Sequence, residues 1–379
     1  MLALSRRQFS LALLASSSVF AAAATMFFEK TNRYLRIGQY RRDKTFRTSK
    51  FYAASELSEK VVLQLDLKTH TWTEIPVTSA PHVIETHPTQ SQFSLSATQK
   101  ADTISCVDWT LGRQISEHVL PSGEFFYGHG VFSNDGSSVF ASTYRIGRPS
   151  SILKFRFPDL VLEERFDIPY GLAHEIVLLD EDHLLFGNSP MGGSDSPGFG
   201  VLNVKTKGTH LFPLAGSEHP RLASISHIER LTDGFMGTFH EALSDFDRPS
   251  GLATLKGQKV DFRYNPQASG LRSEILSLAY DWKRKLVWAT IPTAEKVLIW
   301  DETKQEVLTE FSSLSLKTEQ TRDAEPFSLR PYGVSHSEKL GRTFVVTQDY
   351  VMVLDSESRK VIETIAKPRG GYSAHARLA

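Results

Sequence analysis

The chain has 379 residues, 40% of them hydrophobic, and Lys+Arg and Asp+Glu both number 43. That is enough apolar surface for one large core or two small ones, and the even charge balance gives no reason to expect nucleic acid or an anionic membrane as a partner. Cys106 is the single cysteine, which excludes an intrachain disulfide, a Cys-based zinc site, an iron–sulfur cluster and a covalently attached c-type haem.

The first element in chain order is a targeting segment. Ser5-Arg6-Arg7-Gln8-Phe9 sets an arginine pair ahead of an apolar run from Leu11 to Ala24, and Phe20-Ala21-Ala22-Ala23-Ala24 offers A-x-A-like cleavage sites. This predicts a twin-arginine signal over residues 1–24, a short linker over 25–34 and a periplasmic mature chain. Two alternatives stay open. One is a general secretory signal. The other is an uncleaved anchor, for which the 18 residues from Leu11 to Phe28 are barely a membrane span and are interrupted by Ser16, Ser17, Ser18 and Thr25. The basic group Arg36, Arg41, Arg42, Lys44, Arg47 and Lys50 that follows reads as a solvated face.

From residue 35 to 379 the chain reads as strands. Runs such as Val61-Val62-Leu63-Gln64-Leu65, Ser138-Val139-Phe140-Ala141-Ser142 and Thr343-Phe344-Val345-Val346-Thr347 are rich in β-branched and aromatic residues. Turn clusters such as Ser133-Asn134-Asp135-Gly136 bound them, and beyond the signal no 3.6-residue apolar stripe lasts three turns. An apolar strand, polar turn and second apolar strand recur about every 45 to 55 residues, joined by an outer hairpin of the form apolar-x-apolar-Asp-x-x-Thr/Ser at Asp66, Asp301 and Asp355. Four strands at this period predict an all-β protein, a single-domain β-propeller. Blades starting near residues 35, 81, 128, 171, 221, 272 and 326 make seven the expected number, with six or eight blades, a β-sandwich or a two-domain β protein as alternatives. The stretches Ser189–Gly200 and Ser312–Glu325 blur the spacing. Closed propellers leave few strand edges, so a monomer is expected.

Enzyme signatures are missing: no Gly-x-Ser-x-Gly elbow, no His-Glu-x-x-His helix, no Walker loop and no Gly-x-Gly-x-x-Gly after a strand. Trp72, Trp109, Trp282, Trp288 and Trp300 read as packing residues, and Cys106 as a small buried hydrophobe. The informative pattern is the placement of histidine. Of thirteen, His82 and His87, His129, His174 and His227 stand at the first strand of successive blades, and His336 stands slightly later in the last. First strands line the axis of a propeller, so these side chains are expected to converge, together with Glu85, Glu175, Glu229 and Glu241. Neutral imidazole with carboxylate suits zinc, iron, copper or nickel. His129, His174, Glu175 and His227 are the first candidate ligands, and His87, His240 and His336 the further ones. The alternative is that blade histidines bond a neighbouring backbone and simply lock the ring.

At Gly128-His129-Gly130-Val131-Phe132-Ser133-Asn134-Asp135-Gly136, His174-Glu175, Leu184-Leu185-Phe186-Gly187-Asn188, Ser226-His227-Ile228 and Gly370-Gly371-Tyr372 with His375, the chain resembles a family of twin-arginine-exported, seven-bladed propellers of unknown function. The likeness runs over about residues 50 to 375. It departs at Leu172-Ala173 and at Ser189-Pro190-Met191, where the family has Gly-Pro and Asn-Gly-Gly motifs. The resemblance implies an association with imelysin-type periplasmic iron-uptake proteins and no reaction. Three expectations follow: a periplasmic accessory protein for transition-metal handling, a metal-assisted propeller enzyme (a lactonase-like hydrolase or an oxidoreductase, with Glu175 or Glu229 as base), and a protein-binding scaffold contacting its partner through Ser189–Gly200.

Overall fold

In a computed structural model the structure describes residues 33–42, 57–78, 80–189, 197–214, 222–241, 250–264, 275–316, 326–368 and 375–379, with 318, 321 and 324. The signal segment 1–24, residues 190–196 of Ser189–Gly200 and six residues of Ser312–Glu325 lie outside them. The described residues form strands and short 3-10 turns, with no α-helix among them and none long and apolar enough to cross a membrane.

The strands form five four-stranded antiparallel sheets and one eight-stranded sheet that is two four-stranded units joined where Phe93–Ala101 meets Glu124–Phe132, which makes seven blades. Within blades II to VII the strands follow one another in sequence from the innermost outward. The innermost are Pro81–Thr86, Glu124–Phe132, Leu172–Leu178, Leu222–Leu231, Ser277–Asp281 and Pro331–Ser337. Blade I is composite: its innermost strand is Ala376–Leu378 from the C-terminal end, paired with Tyr34–Arg42. Each innermost strand touches the next, and Ala376–Leu378 touches both Pro331–Ser337 and Pro81–Thr86, so the circle closes.

Alternation along each strand explains why closure is stable. A single blade presents apolar residues on both faces and cannot bury either alone. The described residues accordingly contain seven apolar clusters, one between each pair of neighbouring blades, such as Leu35, Ile37, Leu63 and Leu65 of blade I with Phe344, Val346 and Val353 of blade VII. Cys106 is fully buried in the cluster between blades II and III, and burial pushes its thiol up to about 12. The Asp of the outer hairpin closes its turn, since Asp66 Oδ1 accepts from the Lys68 and Thr69 amides and Asp301 Oδ1 from those of Thr303 and Lys304.

One expectation fails. Arg36, assigned to a solvated face, is only 2% exposed. It occupies an inward position of Tyr34–Arg42, donates to Gln64 Oε1 at 2.8 Å and to Ser94 Oγ at 3.0 Å, and lies 4.8 Å from the Trp109 ring. Burial lowers its pKa to about 9, and those partners make a buried cation tolerable. The side chains of Arg41 and Arg42, and Lys44, Arg47 and Lys50, lie outside the described residues.

Candidate metal centre

Five of the seven innermost strands share a local irregularity. Their ladders lose register between Pro81 and Val83, Phe126 and Gly130, Ala173 and Ile176, Ile225 and Ile228, and Pro331 and Gly333. His82, His129, His174 and His227 fall inside the first four of these breaks. Unpaired residues at a bulge leave the pleat, and their side chains are re-aimed. Blade VII has Tyr332 at this position, and blade I has His375, immediately before Ala376–Leu378.

The five imidazoles therefore meet on the axis. Ring centroids of His82 and His375, His375 and His227, His227 and His174, and His174 and His82 are 5.0, 4.7, 5.2 and 6.1 Å apart. His129 lies 4.9 to 5.3 Å from all four. Two trios, His82–His129–His174 and His129–His227–His375, each bring nitrogens within 4.8 Å of one another. Such crowding needs a residue without a side chain. Gly128 has φ +108°, and a Cβ there would stand 2.9 Å from His82 Cδ2 and 3.4 Å from His174 Cε1.

All five rings are 2–6% exposed. Burial lowers the His82 pKa to about 3, with His227 and Lys100 adding to the effect. Burial and the surrounding imidazoles hold His129 and His375 well below the ordinary value. These three rings are neutral at pH 7, and each neutral imidazole keeps one lone pair. Nε2 of His82, His129 and His375, and both nitrogens of His227, have no hydrogen-bond partner. Leaving a buried polar group unsatisfied costs about 1–3 kcal/mol. Several orphaned acceptors facing one small space are what a bound cation would satisfy, so the residues fit a metal.

Carboxylates stand behind the rings. Glu175, expected among the ligands, puts Oε1 3.6 Å from His129 Nδ1 and Oε2 3.6 Å from His227 Nδ1, and Oε2 accepts from the Ile228 amide at 2.7 Å. This geometry suits an orienting partner on the Nδ1 side, which leaves the Nε2 atoms for an ion. Arg377 ties the group together, 2.9 Å from Glu85 Oε1 and 3.5 Å from Glu175 Oε1. Burial pushes the Glu229 carboxyl up to about 7; the Glu175 charge adds to this and Arg377 opposes it. Glu175→Gln keeps the shape and removes the charge, so metal affinity should fall about 10–100-fold in a competition titration while the circular-dichroism spectrum stays unchanged. Unaltered affinity would reject the orienting role.

The remaining candidates part company. His87 is not in the ring: its Nδ1 accepts from the Thr89 and Gln90 amides at 3.2 and 3.0 Å, and its imidazole packs 5.1 Å from both Phe132 and Phe157. It caps a turn, because the nearby backbone donors claim its lone pair. His336, four residues past Tyr332, belongs to a different group, with Nε2 3.4 Å from Glu338 Oε1 and 3.8 Å from Asp281 Oδ1. Arg284 already pairs with Asp281 at 3.1 Å, and Glu338 accepts from the Lys283 amide, so those carboxylates are occupied within the fold. His240 lies opposite Ser224 and Ser250, and its side chain and that of Glu241 lie outside the described residues. Neither His82 nor His375 was among the expected ligands: His82 was read only as part of the histidine register, and the strand of His375 joins blade I from the far end of the chain. A signal existed: His375-Ala376-Arg377 repeats the His-x-charged spacing of His227-Ile228-Glu229.

No protein-family model matches the chain, and no curated protein matches it. Solved structures do. Hydrazine synthase of Kuenenia stuttgartiensis is 14% identical, with 81% of this chain and 90% of that one covered at a TM-score of 0.54. The Cps50 (Swd1) β-propeller domain of Myceliophteria thermophila is 12% identical over 82% and 94%, at 0.55. A hypothetical selenium-binding protein from Sulfolobus tokodaii is 10% identical over 91% and 93%, at 0.61. At these identities the likeness shows the β-propeller fold alone.

Proposed function

We propose that this propeller binds one transition-metal ion among His82, His129, His174, His227 and His375, and serves metal handling, iron among the candidates, in the compartment to which its N-terminal segment directs it. The observation that carries the reading is the convergence of five buried imidazoles, among which Nε2 of His82, His129 and His375 and both nitrogens of His227 lack a hydrogen-bond partner. His82, His375, His227 and His174 form a four-membered ring and His129 stands against all of them, a four-plus-one donor set. Donor atoms within 4.8 Å of one another approach the spread of ligands on opposite sides of an ion with bonds of about 2.0–2.1 Å. An all-imidazole set suits copper, nickel, iron and zinc and disfavours calcium and magnesium, which take oxygen.

The protein's own charges complete the arrangement. Five neutral ligands leave a divalent ion uncompensated. Glu85, Glu175 and Glu229 against Arg377 supply up to two negative charges beside the ring. The enzyme reading rests on Glu229, whose near-neutral carboxyl can take or give a proton. Turnover of lactones or esters that disappears in Glu229→Gln would favour it.

Elemental analysis of the mature protein, purified untagged from its native periplasm, tests the binding reading. Near-stoichiometric iron, copper, nickel or zinc is expected, and the element found identifies the cargo. A protein free of all of them returns the histidines to a structural role.

A further inference from the structure

A second site lies outward from the histidine ring, between blades III and IV. A cleft of about 570 Å³, within the roughly 300–1,000 Å³ range of small-molecule sites, is lined by Arg145, Arg148, Arg165 and Lys207 against only two carboxylates, Glu124 and Asp167. Glu124 is 1% exposed and spends its charge on two guanidiniums, with Arg145 at 3.1 Å and Arg165 at 2.7 Å. Burial alone would raise its carboxyl, and the two arginines outweigh that and hold it below the usual range. Arg165 is held further by donating to Ser151 Oγ at 2.9 Å. Both guanidiniums remain partly exposed, at 46% and 33% of their side chains. Lys207 is paired with Glu164 at 2.6 Å, and Arg148 has no carboxylate partner among the described residues. The lining keeps a net positive charge after every pairing.

We propose that this cleft binds a small polycarboxylate anion. A guanidinium offers parallel N–H donors that match a carboxylate, and two guanidiniums already fixed by a buried Glu lose little further freedom when a ligand arrives. Position gives the site a use. Tyr144 lines the cleft and lies 5.0 Å from Tyr127, whose ring is 4.8 Å from that of His174. Two aromatic rings thus separate the anion from the imidazoles. Resting on the metal-binding reading, the polycarboxylate is the chelate from which the ring takes its ion.

Calorimetric titration of the mature protein with citrate, with inorganic phosphate and sulfate as comparison anions, tests this. Saturable one-to-one citrate binding is expected, weakened at least about tenfold by Arg148→Glu, an exposed position whose change does not disturb packing. His129→Ala should leave it unchanged. Absent citrate binding, or binding indifferent to Arg148→Glu, overturns the proposal, and equal affinity for phosphate overturns the carboxylate class. Citrate binding by a protein that never holds metal would uphold the cleft while removing the metal reading and the chelate role with it.

Discussion

His129→Ala is expected to strip the propeller of its metal. His129 alone lies within 5.3 Å of all four other rings, and it is the one member common to both trios. Its removal breaks both trios and takes away the one imidazole that stands against all the others. The loss should exceed the about 10–100-fold cost of removing an outer partner such as Glu175. In elemental analysis, content should drop from near one equivalent to background. His87→Ala is the matched control: that imidazole caps a turn, so its loss should lower the melting temperature and leave metal content intact. Full retention of metal by His129→Ala would dismiss the central ring as the site.

Acid should destabilise the metal-free protein steeply. His82, His129 and His375 have folded pKa values below the ordinary one. Their stabilising contribution is therefore full above about pH 6.5, where the unfolded chain is also neutral, and is lost as pH falls, because only the unfolded state takes up the protons. His82, held near 3, alone costs about 2 kcal/mol between pH 6.5 and 5, and His129 and His375 act in the same sense. Glu229 acts in the opposite sense: its pKa is raised to about 7, so folding holds a proton that the unfolded chain releases above about 4.5, and it returns about 2 kcal/mol over the same interval. Three imidazoles against one carboxyl leave a net loss of stability, set against a typical total of about 5–15 kcal/mol. Urea midpoints of the apoprotein measured from pH 7 to 5 should fall accordingly, and bound metal should hold them up until protons displace it. A flat profile would mean that the rings are not buried and neutral.

Much of this was legible in the residues. The β-branched alternation, the turn clusters and the repeat identified a single propeller of four-stranded blades, because period-two patterning and repeat length are local properties. The histidine register was equally visible: it held four of the five ring members, His82, His129, His174 and His227, of which the last three were expected as ligands, alongside His87 and His336, which lie elsewhere. Glu175 was singled out as a ligand. It stands on the Nδ1 side of two of the ring imidazoles, a placement that only the folded strands decide.

What the chain order alone determined is the blade, its period and the place of histidine within it, since each follows from neighbours a few residues apart. Tertiary structure decided the rest. Ring closure recruits Ala376–Leu378 into blade I and carries His375 to 5.0 Å from His82, a contact that arises only when the circle is completed. Bulges, not strand alternation, aim the imidazoles, and a bulge breaks the very periodicity by which a strand is read. Packing buried Arg36 under Trp109, and backbone donors claimed His87 for a turn. In each case a side chain's role was set by whichever partner the closed ring brought near, and that partner lay elsewhere in the sequence or in the backbone's path.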